Sequence, residues 1–86
     1  MTEALSYVHG ASAQPLIGQT IGSYFDEVCA RHAAREALVV TQQKARLTYA
    51  ELHDQVDRLA CGLMRLGLQR GERIGIWSQN NLEWVL

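Results

Sequence analysis

LTYAELHDQVDRLACGLMRLGL, residues Leu47 to Leu68, reads as a single helix with both ends written into the residues. Thr48 followed three residues later by Glu51 is a capping box: the hydroxyl takes a first-turn N–H and the carboxylate reaches back to the cap's own N–H. Leu47 outside the cap and Leu52 one turn inside have the spacing of a hydrophobic staple. Apolar residues return at Leu52, Val56, Leu59, Leu63 and Leu66, one stripe at helical period. Asp54, Gln55, Asp57, Arg58 and Arg65 fall largely off that stripe and are expected to face water. Gly67 is the expected left-handed stop, with Leu68 folding back on Leu63. Such a helix is scaffold and carries no active-site pattern.

The chain around it has 86 residues, 48% hydrophobic and 20% charged, the balance of a globular protein rather than a disordered or membrane-spanning one. A net charge of −1 gives no electrostatic reason for a nucleic-acid or anionic-membrane partner. No window approaches the roughly 20 apolar residues that a transmembrane segment needs. Ala11-Ser12-Ala13 resembles a signal-peptidase site, but the first basic residue is Arg31 and no apolar run precedes it. The same lack of early arginine argues against a mitochondrial transit peptide, and a cytoplasmic protein is expected. Cys29 and Cys61 are far apart, in no ligand spacing, and each sits in an expected helix, so reduced, buried thiols are the reading.

Residues 1–19 show neither helical nor strand period and are punctuated by Gly10, Pro15 and Gly18, the pattern of an extended arm. Thr20 opens a first helix, in which Ile21, Tyr24, Phe25, Val28 and Cys29 share a face. Asp26 and Glu27 lie toward its start, Arg31 and Arg35 toward its end, the order the helix dipole prefers. Ala37 to Thr41 is a β-branched strand, Gln42 to Ala45 a turn, and Arg46 to Thr48 a return strand running into the main helix. Beyond Gly67, Gln69 to Glu72 is a polar turn, and Arg73 to Trp77 is expected as a buried parallel strand reached by a crossover. Asn81 is a good N-cap for a third helix beginning at Leu82. That helix is too short to hold itself, and the strand has too few partners, so residues 20–86 read as the start of a larger α/β domain.

Several blocks are recognisable together. Leu47-Thr48-Tyr49-Ala50-Glu51-Leu52, Val56-Asp57-Arg58-Leu59-Ala60, Gly62-Leu63 and Leu66-Gly67-Leu68 resemble the N-terminal signature of AMP-forming acyl-CoA synthetases. Arg70-Gly71-Glu72-Arg73-Ile74-Gly75-Ile76-Trp77, then Asn80-Asn81-Leu82-Glu83-Trp84-Val85, is similar to its continuation. Arg35 to Val40 matches the strand before the helix. Ser6 to Gly10, Pro15-Leu16 and Thr20-Ile21-Gly22 are similar to the medium-chain fatty acyl-CoA synthetase branch. There are departures: Leu82 stands where proline is usual, His32-Ala33-Ala34 replaces an aromatic-Pro-Asp turn, and Glu72 replaces aspartate.

The resemblance implies an incomplete N-terminal part of an AMP-binding synthetase domain, about a sixth of a family member. It implies an enzyme that joins a fatty acid to ATP, giving an acyl-adenylate and pyrophosphate, and passes the acyl group to coenzyme A, with Mg²⁺ as cofactor. Such an enzyme needs a Ser/Thr/Gly-rich phosphate loop with a lysine, a Tyr-x-x-Thr-Glu motif, a hinge and a C-terminal catalytic lysine. None occurs in these 86 residues, whose single lysine is Lys44 in a turn. Gly62, Gly67, Gly71 and Gly75 are scattered over a helix, its cap, a turn and a strand rather than gathered in one loop. Hence no catalytic, cofactor-binding or metal residue is assigned, and the expected partner of this segment is the remainder of its own chain.

The other tempting residues have plain explanations. His53 and Asp57 share a helical face at i, i+4, but without a third ligand they read as a solvated polar face. His9 and His32 read as surface residues. Arg65, Arg70 and Arg73 near the helix end read as dipole compensation and solubility. Trp77 and Trp84 read as core packing, and Ser78 lacks a hydrolase context. Two alternatives remain beside the fatty acid–CoA ligase: a small non-enzymatic α/β interaction module using an open strand edge, or a related adenylate-forming enzyme acting on another carboxylic acid.

Overall fold

A computed structural model describes residue 10 and residues 13–86, so the arm expected over residues 1–19 lies largely outside the described residues. The elements in order are α1 (Ile21–Arg31), β1 (Glu36–Val40), a 3-10 turn (Thr41–Gln43), β2 (Ala45–Thr48), α2 (Tyr49–Arg65) and α3 (Leu82–Val85). Mixed helix with a small sheet matches the expected part of an α/β domain.

α2 has the expected ends. The Thr48 hydroxyl accepts from Glu51 N at 3.2 Å while the Thr48 N–H donates to Glu51 Oε1 at 3.0 Å, closing the capping box. Its first two amides also find carbonyls outside the helix, Tyr49 N donating to Arg35 O and Ala50 N to Ala33 O. At the other end Gly67 takes φ +95°, Gly67 N donates to Met64 O, and Leu68 N to Leu63 O. Those two bonds form a Schellman motif, which satisfies carbonyls the helix would otherwise leave free.

α1 is capped by Thr20, whose hydroxyl accepts from Ser23 N. Asp26 and Glu27 fall mid-helix rather than in the first turn; Glu27 pairs with Arg31 at 2.9 Å. β1 and β2 pair antiparallel, Leu38 opposite Leu47 and Val40 opposite Ala45, with a bulge at Ala37 between the Glu36 and Leu38 pairings. Arg46 and Glu36 form an ion pair across the strands at 2.6 Å. The connection is a 3-10 turn closed by Lys44 at φ +51°, where no Asn-Gly or Asp-Gly dipeptide was available to make a two-residue turn.

α2 packs on α1 and on both strands. The side chains buried there are Cys29 (4% exposed), Leu47 (8%) and Leu52 (7%), the staple pair being two of the three. Toward its C-terminus the apolar stripe runs out of partners, and Leu66 is 86% exposed.

Three expectations are corrected. Arg73–Trp77 forms no strand: the sheet among the described residues has two strands, and this segment pairs with neither. A strand exists only through a neighbour that takes its N–H and C=O groups, and none is present. Trp77 accordingly lies at 102% relative exposure rather than in a core, and Trp84 is exposed as well. Cys61 is also exposed, whereas Cys29 is buried. Nine residues beyond Leu52 at 100° per residue, Cys61 is turned about 180° from the buried side of α2.

Candidate functional site

A group of chemically capable side chains lies between α1 and α2. His53 Nε2 is 2.9 Å from Asp26 Oδ1, and His53 Nδ1 is 3.5 Å from Asp57 Oδ2. A carboxylate can only accept, so His53 Nε2 donates its N–H to Asp26, and the longer Asp57 approach faces the other ring nitrogen. The His53 ring stacks on Phe25, centroids 5.8 Å apart at 14°. A pocket of about 260 Å³ beside it is lined by Asp26, Cys29, Ala30, Ala50 and His53.

Thiol, imidazole and carboxylate side by side invite a nucleophilic reading, but burial and the nearby Asp26 carboxylate push the Cys29 thiol above its ordinary pKa. Catalysis needs a thiolate, and this setting favours the protonated thiol. Among the described residues no three ligating side chains converge as a metal site requires. The arrangement works as an interhelical clasp in which Asp26 and Phe25 of α1 orient His53 of α2. The sequence pairs His53 with Asp57 on one helix; the closer partner, Asp26, lies 27 residues away.

The remaining candidates are dispersed. Arg65 ends α2, while Arg70 and Arg73 are exposed on the segment beyond it. Gly62 is inside α2, Gly67 is its stop, Gly71 takes φ +89° in a turn and Gly75 lies in the irregular segment that follows. Lys44 closes the 3-10 turn. The Ser78 hydroxyl donates to Gln79 O and accepts from Asn81 Nδ2. His32 is not a free surface residue: it ends α1 half-buried, its ring 6.4 Å from Tyr49. His9 lies outside the described residues.

One residue escaped the sequence reading. Gln43, in the turn between the strands, reaches α3: its Oε1 accepts from Leu82 N at 2.8 Å and its Nε2 donates to Glu83 Oε2 at 3.0 Å. Asn81 was legible as the α3 cap and accepts from Trp84 N at 2.8 Å. Gln43, 39 residues from Leu82, carries no local signal of its role.

A helix, hairpin and long helix whose apolar stripe is uncovered toward its C-terminus are consistent with part of an α/β domain. The chain belongs to the AMP-binding enzyme family, whose profile matches residues 25–86. It is 42% identical over 82 residues to the mitochondrial medium-chain acyl-CoA ligase ACSF2 of Rattus norvegicus and 43% identical to that of Homo sapiens, in each case over 95% of this chain and 13% of the relative. It is 40% identical over 81 residues to the acyl-CoA ligase SID4 of Ajellomyces capsulatus, over 94% of this chain and 14% of the relative. The chain therefore spans about an eighth of the length of these relatives. No solved structure matches it significantly. No helix among the described residues is long and apolar enough to cross a membrane.

Proposed function

We propose that these 86 residues are the N-terminal scaffold of an AMP-forming fatty acid–CoA ligase. The complete enzyme converts a medium-chain fatty acid and ATP to an acyl-adenylate and pyrophosphate, with Mg²⁺, and transfers the acyl group to coenzyme A. The observation that carries the reading is identity above 40% across 95% of the chain to ligases named for medium-chain acyl groups. Here the segment supplies the clasped pair α1–α2 and the hairpin, while the groups that hold ATP, Mg²⁺ and coenzyme A belong to other parts of the enzyme. Two free cysteines, one of them exposed, suit a reducing compartment, and the cytoplasm is the location proposed. The word mitochondrial belongs to the relatives' names.

The test starts from the native product, captured with an antibody against the exposed segment 69–79 and weighed intact. The expected result is a species of several hundred residues that releases pyrophosphate from ATP in the presence of octanoate and not of amino acids. Amino-acid-dependent exchange would move the substrate class. A native species ending at Leu86, melting cooperatively as a defined oligomer without pyrophosphate release, would replace the ligase with the interaction module.

A further inference from the structure

His53 has a carboxylate at each ring nitrogen. Nε2 is 2.9 Å from Oδ1 of Asp26 on α1, and Nδ1 is 3.5 Å from Oδ2 of Asp57, one turn along α2. Phe25, stacked on the ring, holds its plane. A neutral imidazole has one N–H, and an ionised carboxylate accepts only. With that N–H given to Asp26, the Nδ1 lone pair faces the Asp57 oxygen, acceptor against acceptor. Their 3.5 Å separation is too long for a good hydrogen bond and suits a pair with no proton between them. An imidazolium has an N–H for each carboxylate.

We propose that the clasp between α1 and α2 is proton-operated: a second proton on the His53 ring bridges Asp26 and Asp57 and draws α1 more firmly onto α2. An attachment that binds one more proton than the separated helices strengthens as pH falls. The groups facing His53 are Asp26 and Cys29 of α1 and Asp57 of α2. Burial and Asp26 push the Cys29 thiol up, so it stays protonated while an imidazole titrates. The other charged groups nearby are paired with one another: Glu27 with Arg31 on α1, Asp54 with Arg58 on α2, and Glu36 with Arg46 across the strands. Glu51 is held in the Thr48 cap. His32 ends α1 as a second imidazole at this interface, its ring against Tyr49. Nothing in this depends on the ligase reading.

Hydrogen exchange on the native, full-length protein tests it, with rates corrected for the intrinsic effect of pH. From about pH 8 to about pH 5, the range in which an imidazole takes up its proton, protection of the Ile21–Arg31 amides is expected to rise about two- to fivefold, the scale of an exposed ion pair. Asp57→Asn offers an amide N–H to the unprotonated Nδ1 and removes the charge, so the rise should disappear. Its side chain is 65% exposed, and the exchange keeps its shape, so the variant should fold. His53→Gln keeps a donor for Asp26 but takes up no proton, and should be equally flat. His32 is present in all three proteins, so a response it makes by itself survives in both variants. No rise in the wild type, or a rise that persists at full size in Asp57→Asn or in His53→Gln, would overturn the proton-operated clasp.

Discussion

Thr48 does three jobs within one residue's length. It is the last residue of β2, its hydroxyl caps α2, and its N–H is taken by Glu51. Replacing Thr48 by alanine removes the acceptor for Glu51 N and is expected to cost about 1 kcal/mol, the usual worth of such a cap. Urea denaturation of the native protein reads this as a lower midpoint at unchanged slope. The same box has an acid signature. Hydrogen bonds from Thr48, the backbone N–H first, hold the Glu51 carboxyl below its ordinary value. A depressed folded pKa gives stability that is fully present above the unfolded carboxylate value and is lost as pH falls through the folded one. Glu51→Gln removes the charge and keeps an acceptor, so the difference in midpoint between wild type and Glu51→Gln should shrink on acidification below the ordinary carboxylate range. A difference constant down to the most acid pH at which the protein stays folded would mean that the Thr48 N–H does not hold the ionised Glu51.

At the scale of elements, α2 was legible from end to end because its signals are local. The cap, the staple, the stripe and the glycine stop each lie within a few residues of the atoms they govern. α1, the hairpin and the Asn81 cap were legible for the same reason. Arg73–Trp77 was misread because alternating apolar residues state a strand's preference, while its existence belongs to a neighbour. The clasp was half legible: the i, i+4 spacing gave Asp57, but Asp26 and Phe25 meet His53 through the packing of two helices. The buried residue that unites the elements is Leu52, on the face α2 presents to α1 and to both strands. Leu52→Ala should cost about 2–5 kcal/mol, several times the loss at Thr48, because a buried side chain leaves both its transfer energy and a cavity behind. Calorimetry on the native protein checks the ranking; a loss at Leu52 no greater than at Thr48 would mean that the contact between α2 and its neighbours is not the core.

For the whole molecule the telling quantity is how little is covered. Ile21 is 93% exposed, Leu66 86% and Trp77 102%, with Ile74, Ile76 and Met64 also in the open. Large apolar side chains left open in this number suit a segment that packs against further protein, and in the proposed ligase the remainder of the synthetase domain covers them. Trp77 separates the covered state from the bare one. In a Trp84→Phe background Trp77 is the single tryptophan of this segment. In the 86-residue chain produced by itself, acrylamide should quench its fluorescence as freely as that of indole in water. In the native protein, Trp77→Ala should cost about 3–5 kcal/mol, the scale for removing a buried large aromatic side chain. Were the segment solvent-facing there too, the change would fall within about 0.5 kcal/mol, as surface substitutions do. A neutral Trp77→Ala in a long native species would leave the ligase assignment standing on its relatives and remove the claim that the apolar face is the joint to the rest of the domain.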